Sequence, residues 1–360
     1  MAQQVGSAGS FFRKPAPPVA PPPPTFRPPL PPSGLGIPDA VPPPLPAARR
    51  RLSFHGTGGT LFGIHVVNVF FTVITLGVYY FWGKTRIRRY IFGASAFEGD
   101  RFAYHGTAQE LLLGFAKAFV VFFVPMILLH LVQKVPDIDP AINRASALSI
   151  SLLFLMFLPV AMVGARRYRL SRTSWRGIRF SFRGPAAQFI KIFLIGTFLN
   201  GLTLGLYYPF FVTRRQAFMI SHSYFGNEPF GFDGRGRELF APYLLAALLT
   251  LPTLGLSWVW FLARKRRFFW EHTTFGAAAR FDSTVTGGAL LGLWVVNAIL
   301  LVCTLGLAWP WVRVRNINFA FRYLALDGPL DLERIRQQAQ QASATGEGLA
   351  GFLDTGFDLG

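Results

Sequence analysis

The chain has one cysteine in 360 residues, Cys303 in the apolar run ILLVCTLG. A single thiol makes no intrachain disulfide and no zinc site. In that setting it reads as a small apolar residue rather than a reactive group. Carboxylates are scarce, 17 Asp and Glu against 36 Lys and Arg, and none lies inside an apolar run. A proton-coupled carrier needs an intramembrane acid, so that mechanism loses its usual residue. Charged residues make up 15% of the chain, where a soluble domain carries about 25%. That is too little charge to cover a soluble surface. Phosphate-loop, dinucleotide-binding, HExxH and GxSxG patterns are all missing. The six histidines, His55, His65, His105, His130, His222 and His272, form no pair at metal-ligand spacing. No catalytic constellation, cofactor or metal site is predicted. A lipid-acting membrane enzyme would use arginines to hold phosphate, but no nucleophile–base pair supports it.

What the chain has is apolar length. Hydrophobic residues reach 51% and aromatics 16%, with 38 Phe. Apolar runs fall at roughly 60–82, 111–133, 146–165, 187–212, 239–262 and 287–312. Most approach the ~20 residues a helix needs to cross a bilayer. The composition predicts an all-α integral membrane protein with about six membrane helices or re-entrant elements. The link QKVPDIDPAINRA between the second and third runs reads as a tight loop on the non-cytoplasmic side. Net charge is +19. Basic segments beside apolar helices hold those ends at the cytoplasmic face and attract anionic lipid. No nucleic-acid motif accompanies the charge. The expected partner is therefore a bilayer with anionic headgroups, and not nucleic acid.

Three regions follow from composition. Residues 1–50 form a proline-rich tail, with 16 of the 27 prolines between Pro15 and Pro46. Such a segment cannot pack a core and favours extended polyproline II. FRPPLPP, Phe26 to Pro32, has the form of a ligand for a Pro-motif-binding protein. Residues 51–330 carry the membrane domain, and 331–360 are a polar C-terminal tail.

A unit recurs within the middle region. TLGVYYFWGKTR (Thr75–Arg86), TLGLYYPFFVTR (Thr203–Arg214), TLGLSWVWFLAR (Thr253–Arg264) and TLGLAWPWVRVR (Thr304–Arg315) share a threonine, a glycine two on, aromatics and a closing arginine. Such similarity indicates repeated structural units. Thr75, Gly77, Thr203, Gly205, Thr253, Gly255, Thr304 and Gly306 read as kinks, because glycine loosens a helix and threonine bonds a carbonyl one turn back. Trp82, Phe210, Trp260 and Trp311, with Arg86, Arg214, Arg264 and Arg315, read as interfacial anchors. Phe102, Tyr104 and Gly106 follow the first copy, and Phe230, Phe232 and Gly234 follow the second at the same offsets. Ile178, Phe180, Phe182 and Gly184 repeat the pattern. Alternation at period two before a glycine predicts short β-strands, which would form a small sheet at the membrane surface.

These motifs resemble the YjgN-type family of uncharacterised bacterial inner-membrane proteins. The carrying residues are FHGTGGTLFGIHVVNVFFTVITLGVYYFWGKTRIRRY, FAYHGTAQELLLG, TLGLYYPF and TLGLAWPW, within about residues 52–330. The resemblance implies a multi-pass inner-membrane protein, and carries over no catalytic residue.

His65, Asn68, Asn200 and Asn297 are polar residues within apolar runs. They serve either as interhelical hydrogen-bond partners or as a shared polar site on a solute path. The leading role is a small-solute transporter or channel. The alternative is a non-transporting scaffold or envelope component that binds anionic lipid and, through its proline tail, a partner. The side of the N-terminus and the oligomeric state stay open. One conflict stands: six simple crossings would put the basic segments at Thr213–Arg215 and Arg313–Asn316 on the side the positive-inside rule forbids. Re-entrant or inverted elements would resolve it.

Overall fold

A computed structural model describes residues 49–276, 279–329 and 335. The sequence order strand–helix–helix–strand occurs five times. The first unit is β1 (Arg50–Phe54), α1 (Gly58–Ile74), α2 (Tyr80–Ala94) and β2 (Ser95–Phe97). The second is β3 (Asp100–Tyr104), α3 (Ala108–Ala118), a π-helical turn (Phe119–Phe123), α4 (Val124–Val132), α5 (Pro140–Ser171) and β4 (Thr173–Trp175). The third is β5 (Ile178–Phe182), α6 (Ala186–Leu202), α7 (Tyr208–Ser221) and β6 (Ser223–Phe225). The fourth is β7 (Glu228–Phe232), α8 (Gly236–Leu248), α9 (Ser257–Glu271) and β8 (Thr273–Phe275). The fifth is β9 (Ala279–Ser283), α10 (Gly287–Cys303), α11 (Trp309–Arg322) and β10 (Leu324–Asp327).

Strands of three to five residues are too short to stand alone, and an open edge exposes unpaired backbone groups. Here all ten close into one antiparallel barrel. The two strands of each unit pair with each other, tight hairpins join successive units, and β1 pairs with β10 to seal the ring. Two hairpin turns put both central residues at positive φ, Glu98–Gly99 and Arg176–Gly177, which suits the twist of the flanking strands.

Five directly opposed pairs fill the lumen: Leu52 with Phe97, Phe102 with Trp175, Phe180 with Phe225, Phe230 with Phe275, and Phe281 with Leu326. The aromatic members run round in contact, with ring centroids 4.7 Å apart at Phe180–Phe225 and 4.9 Å at Phe230–Phe275. They leave a cavity of about 180 Å³ lined by no polar side chain. Ile335 packs against the same cluster.

Each TLG segment is a chain reversal. Thr75 Oγ1 donates to the Phe71 carbonyl at 2.7 Å and accepts from Tyr79 N–H at 2.9 Å. One hydroxyl thus ties the end of α1 to the start of α2. Leu76 sits at φ 49° and Gly77 at φ 96°, and Gly77 N–H closes a bond to the Thr72 carbonyl. That is the Schellman termination of a helix. Thr203, Thr253 and Thr304 make the same pair of bonds, with Gly205, Gly255 and Gly306 also at positive φ. The expected kinks are therefore helical hairpins that leave the barrel and return to it.

This geometry corrects the expected fold in two respects. The chain is not all-α, since the predicted surface sheet is a closed ten-stranded barrel. About six membrane helices is also wrong. Among the described residues two helical segments are long and apolar enough to cross a membrane, Ala108–Val132 and Pro140–Ser171. The other four apolar runs each straddle a TLG turn. Apolar content marks such a run, but not the reversal in its middle. The predicted tails, 1–50 and 331–360, lie outside the described residues except for Arg49, Arg50 and Ile335.

Removing one lumen ring, Phe225→Ala, is expected to lower stability by about 3–5 kcal/mol. Val302→Ala, at an exposed position on α10, should cost far less. Thermal unfolding of the detergent-solubilised protein checks this. Equal losses would mean that the lumen is not the core.

Candidate functional site

Neighbouring hairpins pack side by side round the barrel, and α11 returns to α1. The aromatic residue seven past each TLG threonine makes this junction. The Trp311 indole lies where a Cβ on Gly58 would fall, 2.3 Å away, and Trp260 lies 2.5 Å from the equivalent point on Gly287. The Phe210 ring comes within 2.8 Å of the equivalent point on Gly236, and the Phe210 Cα within 2.7 Å. Trp82 faces Thr107, Ala108 and Gln109 across a cavity of about 380 Å³. The Trp311, Trp260 and Phe210 rings thus wedge against the first turn of the next hairpin, where only a residue without a side chain admits them. Trp82, Trp260 and Trp311 keep an exposed face as well. The glycine partners are visible in the sequence as GTGG and TGG, but their pairing across about 250 residues at Gly58–Trp311 is not.

Charge is layered along the hairpins. Asp and Glu cluster at the barrel, where Arg50 pairs with Glu98 at 2.8 Å, Arg49 with Asp282 at 2.6 Å and Arg280 with Asp233 at 2.6 Å. The second helix of each hairpin is basic: Arg86 and Arg89 on α2, Arg214 and Arg215 on α7, Arg264 to Arg267 on α9, Arg313 and Arg315 on α11. Arg214 lies over the Tyr207 ring at 6.0 Å, while Arg86 and Arg264 are exposed. The TLG tips carry no charge.

The four predicted polar residues do not gather. Asn68 Nδ2 donates to the Gly83 carbonyl at 3.2 Å, within the first hairpin. Asn200 lies on α6, with its side-chain oxygen buried and unpartnered among the described residues. Asn297 Nδ2 donates to Asn316 Oδ1 at 2.8 Å, and its own Oδ1 accepts from Arg315 Nε at 3.2 Å. His65 stacks on Trp309 of the neighbouring hairpin at 4.9 Å. Position −7 from the TLG threonine faces position +8 in the first and third hairpins, and the two exchange bulk. Asn68 sits against Gly83, whereas Gly196 receives Phe211.

The structure thus joins Asn297 and Arg315, which the sequence marks for separate reasons. Beside them lies a groove of about 890 Å³ at the junction that closes the ring, lined by Phe62, Leu300, Cys303, Leu307, Trp311 and Arg315 among others. Among the described residues no group of three His, Cys, Asp or Glu side chains is placed to hold a metal.

A family model described as a bacterial protein of unknown function (DUF898) matches residues 49–255 and 240–352. The chain is 37% identical over 129 residues to the inner membrane protein YjgN of Escherichia coli O157:H7, covering 36% of this chain and 30% of that protein. It is 30% identical over 163 residues to YjgN of Escherichia coli K12, covering 45% and 38%. It is 29% identical over 134 residues to YjgN of Salmonella typhimurium, covering 37% and 31%. The matched stretches span about a third of the length of these curated relatives. No solved structure matches.

Asn68→Ala and Asn297→Ala are each expected to cost about 0.5–2 kcal/mol of stability through lost interhelical hydrogen bonds. The double variant should be additive to within about 0.5 kcal/mol. A larger coupling energy, measured by unfolding in detergent, would place both residues in one polar site.

Proposed function

The chain belongs to the DUF898 family of bacterial proteins and resides in the inner membrane, and from that premise we propose that it is a non-conducting membrane scaffold. Its barrel stands at the cytoplasmic face, and four of its five hairpins dip into the near leaflet. The observation that carries this reading is the state of the TLG leucines. Leu76, Leu204 and Leu254 are 94% exposed and Leu305 is 93% exposed, each in the left-handed conformation. That conformation costs a leucine about 1–2 kcal/mol, and water offers the side chain nothing in return. Hydrocarbon does. The apolar side chains next to the tips, including Phe70, Val73, Ile74, Phe198 and Val302, are exposed too.

Lengths agree with insertion to mid-bilayer. Arg86 lies about 9 Å from the start of α2 by helical rise, and half the hydrocarbon core is about 15 Å. Snorkelling covers the difference. The second unit is longer. Its 25-residue segment Ala108–Val132 extends about 37 Å, enough to cross the ~30 Å core. Its exposed loop carries Lys134, Asp137 and Asp139, where the other hairpins have TLG. One unit therefore crosses twice and four return, which puts every basic second helix on the barrel side. The positive-inside conflict of the six-crossing scheme then disappears.

A transporter reading finds less support. The barrel lumen is filled by apolar side chains, and Asn68 and Asn297 are spent on contacts within their own hairpins. A continuous polar face is what conduction requires.

In native membranes Cys303 is expected to resist a water-soluble maleimide, in intact and lysed cells alike, and to react once the protein is denatured. Reaction in the native membrane would remove the tips from lipid. In a Cys303→Ser background, Lys134→Cys should label from outside intact cells, whereas Gln109→Cys and Arg237→Cys should label only after permeabilisation. Labelling of all three from one side would exclude the double crossing.

A further inference from the structure

The groove at the ring-closing junction combines features that the other hairpins have only in part. We propose that it is a binding site for one anionic phospholipid, with an acyl chain lying along the groove and the phosphate held by Arg315. The proposal rests on the reading of the tips as lipid-immersed, and goes beyond it by naming a specific ligand class and residue.

The groove runs from the TLG tip at Leu305 along α11 to Arg315, and α1 contributes Phe62 to its wall. Apart from Thr304, whose hydroxyl is spent on the turn, its lining is apolar until the arginine. Arg315 is braced by the Nε bond to Asn297 Oδ1, while the buried Asn297 is itself anchored on Asn316. A guanidinium has five N–H donors, so this brace leaves both Nη groups to bind a phosphate in the planar geometry arginine favours. From Gly287 to Arg322 this hairpin contains no Asp or Glu, and it adds Arg313 and Arg322. The local field therefore favours an anion.

Depth fits the same ligand. Arg315 lies about 9 Å along the helix from Trp309, so its extended side chain reaches the headgroup level while the chain end reaches mid-bilayer. The half-exposed Trp311 indole stands between these levels. The groove on the fourth hairpin also has a tryptophan and an arginine, Trp260 and Arg264. There Ala246 stands in place of Asn297, so the brace is missing, and Glu238 lies on the same hairpin. Selectivity for an anionic lipid is thus assigned to the fifth hairpin.

The test is native mass spectrometry of the full chain in detergent, titrated with phosphatidylglycerol or phosphatidylcholine. The wild type should retain one phosphatidylglycerol in preference to phosphatidylcholine. Arg315→Gln should weaken phosphatidylglycerol about fivefold, the effect of one cation near an anionic headgroup, and leave phosphatidylcholine unchanged. Cys303→Trp fills the groove without touching charge and should also displace the lipid. It decides alone if Arg315→Gln does not fold. Unchanged phosphatidylglycerol binding in the folded variants would overturn the site. Displacement by millimolar inorganic phosphate would overturn it too, in favour of a free-anion pocket. If Cys303 is shielded in native membranes while lipid binding ignores Arg315, this site alone falls. If Cys303 reacts there with the water-borne reagent, the membrane reading falls as well.

Discussion

The pairing of β1 with β10 is the constraint on which the rest depends. Ten strands of three to five residues have no independent stability, and every open edge would leave backbone donors and acceptors unpaired. Closing the ring satisfies them and brings the ends of a fold of nearly 280 residues together at Arg50–Leu326. It also sets the number of hairpins. Each pair of strands within a unit is the base of one helical hairpin, so five bases round a barrel give five hairpins standing in a ring.

Two small devices turn that ring into a packed wall. A threonine hydroxyl at each TLG turn joins one helix to the next and lets the chain reverse in a few residues. At three of the four turns a large ring seven residues later, Phe210, Trp260 or Trp311, wedges against the glycine that opens the following hairpin. The first acts within a hairpin and the second between hairpins. Neither needs charge, and Arg86 and Arg264 of the second helices stay exposed. The order of apolar tip, basic and aromatic belt, and mixed-charge barrel then follows one axis. It matches the order of hydrocarbon, headgroup and water.

Much of this was legible early. The threonine bond one turn back and the period-two alternation at Phe102–Tyr104 and Phe230–Phe232 are local properties, and each has a local structural counterpart. Asn297 and Arg315 were singled out separately and proved to be partners. What failed was the inference from apolar run to crossing. A run such as 187–212 is long enough to span, yet Leu204 and Gly205 reverse it. Hydropathy averages over that reversal. The strands failed in the same direction, because a three-residue strand such as Ser223–Phe225 has too little pattern to announce which neighbour it will find.

The sequence by itself determined the membrane setting, the recurring unit, the spacing of its basic and aromatic residues and the family resemblance. All of these are carried by composition and short-range spacing. Only the tertiary structure decided that the units close on a barrel, that four hairpins return while one is long enough to cross, and that Trp311 meets Gly58. Those outcomes depend on pairings between residues far apart in the chain. Such contacts leave no trace in local periodicity, because the free energy that selects them comes from closing the whole ring at once.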